Sequence, residues 1–255
     1  MELETMSFEQ DGKIGCLTLN RPTVLNAMND QGALDLNRVA ERIRDDPHVR
    51  LVLIRGAGRA FCTGIDLKQL AAGETPHAYY EQWDRALRIL EQAEKVVICA
   101  MHGYALGGGL QLALACDIRI ATEDCQIGLP ATKEGIVPGL ATLRLPRYIG
   151  LGRAKWMVLS GDTIDGRYAY DIGLIDHVVK PETFEADVSA LVERYARVCS
   201  EGTLQSKVLL NLAFDLPHGQ FFEENLRRQR ITLASPDHQE AMVAYRDGRD
   251  PVFSA

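Results

Sequence analysis

The stretch "HGYALGGGLQLALACD", His102–Asp117, sets three consecutive glycines where an apolar strand gives way to an apolar helix. Glycine in a helix interior is less favourable than alanine by up to about 1 kcal/mol, so propensity alone does not put three there. The run before them, "VVICAMHG", is continuous and rich in β-branched residues, the mark of a strand covered on both faces. "GGLQLALAC" then opens a helix. A strand that enters a glycine turn and then a helix leaves backbone N–H groups unpaired at the helix start, with the helix dipole behind them.

"GRAFCTGIDLKQL", Gly58–Leu70, repeats this design after a second buried strand, "VRLVLIRG". Two such turns on neighbouring strands can aim two N–H groups at one oxygen. That is the requirement of an oxyanion hole, where each donor contributes about 3–4 kcal/mol at a transition state. Gly107–Gly109, taken alone, also fits a tight turn or close packing of helix on sheet. Other glycine motifs are missing: no GxGxxG marks a dinucleotide fold and no Gly-Lys-Ser/Thr marks a P-loop. No GxSxG places a serine nucleophile, and no HxxxH pair suggests a metal.

The chain of 255 residues is 46% hydrophobic and 25% charged, enough to bury a full core. A net charge of −7 argues against non-specific nucleic-acid binding, Arg227, Arg228 and Arg230 making only a short cationic face. Six scattered cysteines without a CxxC pair read as buried, reduced thiols. The acidic start "MELETMSFEQ" does not resemble a signal peptide, and no apolar run reaches the ~20 residues of a membrane span, so a cytoplasmic location is expected. Strands are expected at "IGCLTLN", "IRIAT" and "CQIGL", and helices at "MNDQGALDLNRVAERIRDD" and "AYYEQWDRALRILEQAE". After about residue 145 the pattern turns mainly helical, which suggests an α/β core with an appended helical lobe.

"FCTGIDLKQL", "HGYALGGGLQLALACDIRIAT" and "GLPATKEGIVPGLATLRLPRYIG", in that order, resemble successive signatures of the enoyl-CoA hydratase/isomerase (crotonase) superfamily. "LNRPTVLNAMN", "GLIDHVV" and "EAMVAYRDGRDPVF" extend the likeness over nearly the whole chain. The resemblance implies an α/β spiral of ββα units in two roughly perpendicular sheets over residues 1–195. It also implies a C-terminal helical trimerisation region over 196–255, in trimers or hexamers, and an acyl-CoA thioester as substrate. CoA then arrives as part of the substrate, and no metal or redox cofactor is needed. Matched by position, the oxyanion donors are the amides of Ile65 and Gly108. The CoA and substrate channel is implied at Leu25, Ala60, Phe61, Thr63, Gly64, Asp66, Leu67, Lys68, Gly107 and Ala131. Asp66 reads equally as a helix N-cap. Thr23 stands where the family often carries a cation for the CoA phosphates, with Arg21 or Lys68 as the compensating candidates.

The resemblance strains at the chemistry. Hydratases of this family place one glutamate three residues after the middle glycine and another directly after the proline of "GxPE"; this chain has Gln111 and Ala131. Glutamine can orient a water or acyl group but cannot take a proton at neutral pH. Gly139, a third position where some relatives carry a carboxylate, is also empty. Glu134, three residues past Ala131 in an apolar setting of Ile127, Leu129, Ile136, Val137 and Leu140, is the expected proton carrier, unless Lys133, Arg144 or Arg147 pairs it away. Tyr79, Tyr80, Trp83, His102 and Tyr104 are candidates for the acyl pocket, with core packing the alternative for the aromatics and a structural role for His102. Hydration, dehydration or a double-bond shift is expected. The alternatives are C–C cleavage, decarboxylation or cofactor-free oxygenation through the same enolate, or a non-catalytic acyl-CoA-binding trimer. "ATKEGIVPG" also resembles a branch that includes a cofactor-free dihydroxyphenylacetyl-CoA dioxygenase.

Overall fold

Strands buried on both faces organise the chain, and the computed structural model describes residues 3–253. In order these are β1 (Met6–Asp11), β2 (Ile14–Leu19), α1 (Asp30–Asp45), β3 (Leu51–Gly56), α2 (Leu67–Ala71), α3 (His77–Gln92), β4 (Val96–Met101), β5 (Tyr104–Leu106), α4 (Gly108–Leu114), β6 (Ile118–Thr122) and β7 (Gln126–Gly128). Then come α5 (Ala141–Ser160), β8 (Thr163–Ile164), α6 (Gly166–Asp171), β9 (His177–Val179), α7 (Phe184–Val198), α8 (Glu201–Leu212), α9 (His218–Leu233) and α10 (Pro236–Asp247). One sheet runs β1-β2-β3-β4-β6-β9, parallel except for the β1–β2 hairpin. The other is the short sheet β5-β7-β8.

β2, β3, β4, β6 and β7 form where the apolar runs place them. The acidic N-terminal segment, however, makes a strand. β1 pairs with β2 from Met6↔Leu19 to Asp11↔Ile14 around Gly12 at φ +53°. Gly12-Lys13 forms the two-residue loop, with glycine at the first central position where a positive φ is needed. The second glycine turn also differs from expectation, because β4 does not lead straight into it: the chain first lays down β5 in the second sheet.

The large sheet is covered on both faces. One face carries the main core, with Leu36, Val39 and Ile43 of α1, Leu87 and Leu90 of α3, and Leu110 and Leu114 of α4. On the other, Phe184, Val188, Val192 and Ala196 make an i,i+4 stripe of α7 against Leu51, Val96, Ile98 and Ile120. Residue 195, the expected end of the core, thus lies within α7. The chain breaks at Cys199, and Ser200 with Thr203 forms a capping box that opens α8.

A buried ion pair ties α8 to the sheet. Lys207 Nζ lies 2.9 Å from Asp117 Oδ2 and also donates to the Leu90 and Lys95 carbonyls. Asp117 Oδ2 accepts from Val97 N at 2.7 Å. Asp117→Ala strands a buried ammonium and a strand amide together, and is expected to destabilise by about 3–5 kcal/mol. Comparison of denaturation midpoints with wild type and with Asp117→Asn measures it.

Candidate active site

β5 assembles the site. After Gly103 turns the chain at φ +62°, Tyr104–Leu106 pairs with β7 on one side and with Cys62 on the other. Cys62 N donates to Tyr104 O and Leu106 N donates to Cys62 O, both at 2.9 Å. The loop after β3 is thereby stitched to the glycine turn. Contact is so close that each glycine of the cluster has its own reason. Gly107, at φ +51°, takes a backbone conformation that L side chains rarely adopt. A Cβ on Gly108 would stand 3.2 Å from Gly64 Cα, and one on Gly109 would overlap the Cys62 carbonyl. Gly64 itself, at φ +89°, leaves room where a Cβ would sit 2.7 Å from Gly108 N.

The amides around this contact divide into two groups. Gly64 N donates to Cys62 Sγ, Asp66 N to Met28 O and Gly107 N to Gly128 O. Ile65 N and Gly108 N meet no protein acceptor among the described residues. Both residues line one cavity, with Gly108 at the first position of α4. Two unpaired donors, one backed by a helix N-terminus, make a place for an oxygen that carries or develops negative charge.

The chain matches the enoyl-CoA hydratase/isomerase family over residues 9–255. It is 33% identical over 261 residues to the crotonyl-CoA hydratase of Syntrophomonas wolfei, covering 99% of both chains. To the short-chain-enoyl-CoA hydratase of Clostridium acetobutylicum it is 31% identical over 255 residues, covering 98% of this chain and 97% of the other. The crystal structure of an enoyl-CoA hydratase from Bacillus anthracis superposes with a TM-score of 0.91 at 28% identity, covering 98% of this chain and 99% of that one. This chain is a member of the enoyl-CoA hydratase/isomerase family.

Within that family frame, four groups meet at the cavity: Ile65 and Thr63 from the first loop, Gly107, Gly108 and Gln111 from the second, Ala131 and Glu134 from the 3₁₀ segment Pro130–Glu134, and Tyr79, Tyr80, Trp83 and Asp84 from α3. Gln111 is oriented. Trp83 Nε1 donates to its Oε1 at 3.2 Å; an indole N–H only donates, so the Gln111 oxygen faces Trp83 and its Nε2 remains available as a donor. Ala131 presents a methyl group to the cavity. Glu134 is exposed at the rim, and partial burial raises its carboxyl above the usual range. None of the cations expected to compete for it does so: among the described residues Arg144 pairs with Glu91, Arg147 with Asp215, and no ion pair holds Glu134.

Asp84 was not singled out from the sequence. One carboxylate oxygen, Oδ1, is buried without a hydrogen-bond partner, and burial raises the pKa against the lowering effect of Arg144 and the Leu140 amide. The only signal was its place at the edge of the α3 apolar stripe, beside Trp83 and four residues after Tyr80.

Other expected residues lie elsewhere. Ala60 and Phe61 are buried: Phe61 N donates to His102 O, and Ala60 O accepts from Asn26 Nδ2. Leu25, Gly64, Asp66, Leu67 and Lys68 belong to the adjoining loops but do not line this cavity. Asp66 caps α2 by accepting from Lys68 N, and Arg21 is bound to Asp66 and to Ala27 O, which leaves Lys68 as the freer cation of the two. His102 and Tyr104 are also outside the cavity; His102 Nε2 contacts Gly58 O and its ring packs on Phe184. Cys62, its thiol pushed up to about 12 by burial, stays protonated and unreactive. A larger cavity of about 800 Å³ between α5 and α8 has its main charges already paired, as Arg144–Glu91, Arg147–Asp215 and Lys207–Asp117.

Gly64→Ala tests the contact between the loops. A left-handed alanine whose Cβ abuts Gly108 N is expected to destabilise by about 1–3 kcal/mol. Differential scanning calorimetry reads this as a lower midpoint, about 2–4 °C per kcal/mol for a chain of this size.

Proposed function

We propose that this chain is an acyl-CoA enzyme that holds a thioester carbonyl oxygen between Ile65 N and Gly108 N, and that its reaction is hydration or dehydration of an enoyl-CoA, or a double-bond shift. The observation that carries this reading is the pair of unbonded amides on touching loops at one cavity. An oxygen held there gains enolate character, which acidifies the α-carbon and makes the β-carbon of an enoyl group electrophilic. Glu134 takes and returns protons from the rim. Gln111, held by Trp83, offers Nε2 to a water or to the acyl group.

A second reading arises from Gln111 and Ala131. With neither usual carboxylate in place, C–C cleavage, decarboxylation or oxygen addition through the same enolate uses the same amides. Crotonyl-CoA separates the readings: conversion to 3-hydroxybutyryl-CoA supports hydration. Tight binding without turnover supports a non-catalytic acyl-CoA-binding protein.

We also assign assembly to the C-terminal helices. Leu210, Phe214, Phe222, Leu233 and Tyr245 of α8–α10 and the turns between them are exposed apolar side chains suited to burial against further copies, in a trimer or a dimer of trimers. Light scattering of the purified protein gives the copy number.

Gly108→Pro removes one donor but also brings a Cβ to 3.2 Å from Gly64 Cα and distorts the turn, so circular dichroism first establishes that the variant folds. With the identified substrate, kcat/KM is expected to fall about 10²–10³-fold, the effect of one oxyanion donor. Unchanged turnover in the folded variant would remove Gly108 from the mechanism. Glu134 acts as a base only when ionised, and its pKa is raised. The rate should therefore fall as the pH drops through a midpoint above the ordinary glutamate value, and Glu134→Gln should lose far more than twofold in kcat.

A further inference from the structure

We propose that Asp84 is a catalytic residue of this site, the base that removes and returns the proton on the carbon next to the thioester carbonyl. The proposal rests on the reading of the cavity as an acyl-CoA site and adds a residue from a wall that neither glycine loop supplies.

Asp84 is placed for this role by the bend at Gly139. A Cβ built on Gly139 would lie 2.9 Å from Gln111 Oε1 and 3.5 Å from Asp84 Oδ1, so the absence of a side chain at Gly139 leaves one small space that both groups face. Gln111 is three residues after Gly108 on α4, one helical turn along the same face. A carboxylate across that space from Gln111 is therefore close to the groups expected to hold the thioester oxygen. Gly139 holds φ +49°, a conformation that itself favours glycine.

The state of Asp84 suits proton transfer. Structural carboxylates in this chain are bonded: Asp66 caps α2, and Asp117 accepts from Val97 and Lys207. Asp84 Oδ1 is buried and meets no hydrogen-bond partner among the described residues, and the Leu140 amide is the backbone donor that acts on the carboxyl. Arg144, on α5, is the cation that faces it. Its Nε and Nη2 are bonded to Glu91, while Nη1 is buried without a partner. Tyr79 and Tyr80 on the same helix and Glu134 across the cavity are further titratable groups near it. Burial raises the Asp84 pKa against the lowering effects of Arg144 and the Leu140 amide, the direction that makes a carboxylate a better proton acceptor.

The step balances without a further reactant. Asp84 carboxylate accepts the α-proton, the C–H electron pair becomes the carbon–carbon double bond of the enolate, and the carbonyl pair moves onto the oxygen held by Ile65 N and Gly108 N. Asp84, now a carboxylic acid, returns the proton to carbon and the carbonyl re-forms. In a double-bond shift the return is to a different carbon; in a hydration Asp84 starts as the acid and protonates the enolate left when water attacks the β-carbon, while the Glu134 carboxylate takes the water's proton.

Butyryl-CoA, which is saturated and cannot be hydrated, is the probe. In D₂O the wild-type protein is expected to place deuterium on its α-carbon, read by mass spectrometry. Asp84→Asn is expected to slow this exchange about 10²–10⁴-fold. Binding of butyryl-CoA should stay within about threefold, and the acidic limb that Asp84 contributes to the exchange profile should vanish. Should that variant not fold, Asp84→Glu keeps the carboxylate but moves it by one methylene, and a loss of at least tenfold is expected. Exchange at the wild-type rate in either folded variant overturns the role of Asp84. So does a wild-type protein that binds butyryl-CoA and exchanges nothing, while leaving the oxyanion reading intact. Absence of butyryl-CoA and crotonyl-CoA binding overturns the acyl-CoA reading and Asp84 with it.

Discussion

Two hydrogen bonds between Cys62 and β5 hold the loop after β3 against the glycine turn that starts α4. Each such bond adds only about 1 kcal/mol net, but together they fix where two backbone segments touch. The contact is possible because Gly64, Gly108 and Gly109 carry no Cβ. Ile65 N and Gly108 N then remain at the edge of a cavity with nothing of the protein's own to bond. The arrangement is made from main chain, so it is independent of which acidic side chains surround it. That independence lets the two amides stay free whatever side chains, here Gln111 and Ala131, line the same cavity.

The polar side chains around the amides come from different layers. Gln111 belongs to α4 and is oriented by the indole of Trp83 on α3. Glu134 ends a 3₁₀ turn initiated by Pro130, and Asp84 comes from α3, beneath the Gly139 bend. Both carboxyls are raised by burial rather than by a like charge in contact. How far α3 and the 3₁₀ segment close over the glycine loops sets how much solvent each carboxyl loses. Tyr79 and Trp83, one turn apart on α3 with rings within 6° of parallel, both line the cavity.

The opposite face of the large sheet has a structural task. The α7 stripe covers it, and Lys207 anchors α8 through Asp117 to the strand ends. Away from that anchor, α8–α10 and their turns leave large apolar side chains exposed, in contrast to the fully covered sheet.

By itself the sequence determined the elements whose residues carry a strong period: β2, β3 and β4 as buried apolar runs, α1 and α3 as amphipathic helices, and the helix opened by Gly107–Gly109. It also marked Ile65, Gly108, Gln111 and Glu134, all of which line one cavity. Only the tertiary structure decided β1 and β5, because a six-residue edge strand rich in polar groups and a three-residue strand have no periodicity to read. It likewise decided that Arg21 serves Asp66, that Phe61 belongs to the core and that His102 and Tyr104 stay outside the site. Asp84 is the sharpest case. On a helix wheel it is a charge at the rim of an apolar stripe, and only the packing of α3 against Gly139 and Arg144 takes its carboxylate oxygen out of water. Local pattern encodes which face of an element is apolar; which polar group loses its solvent depends on the neighbour that arrives from elsewhere in the chain.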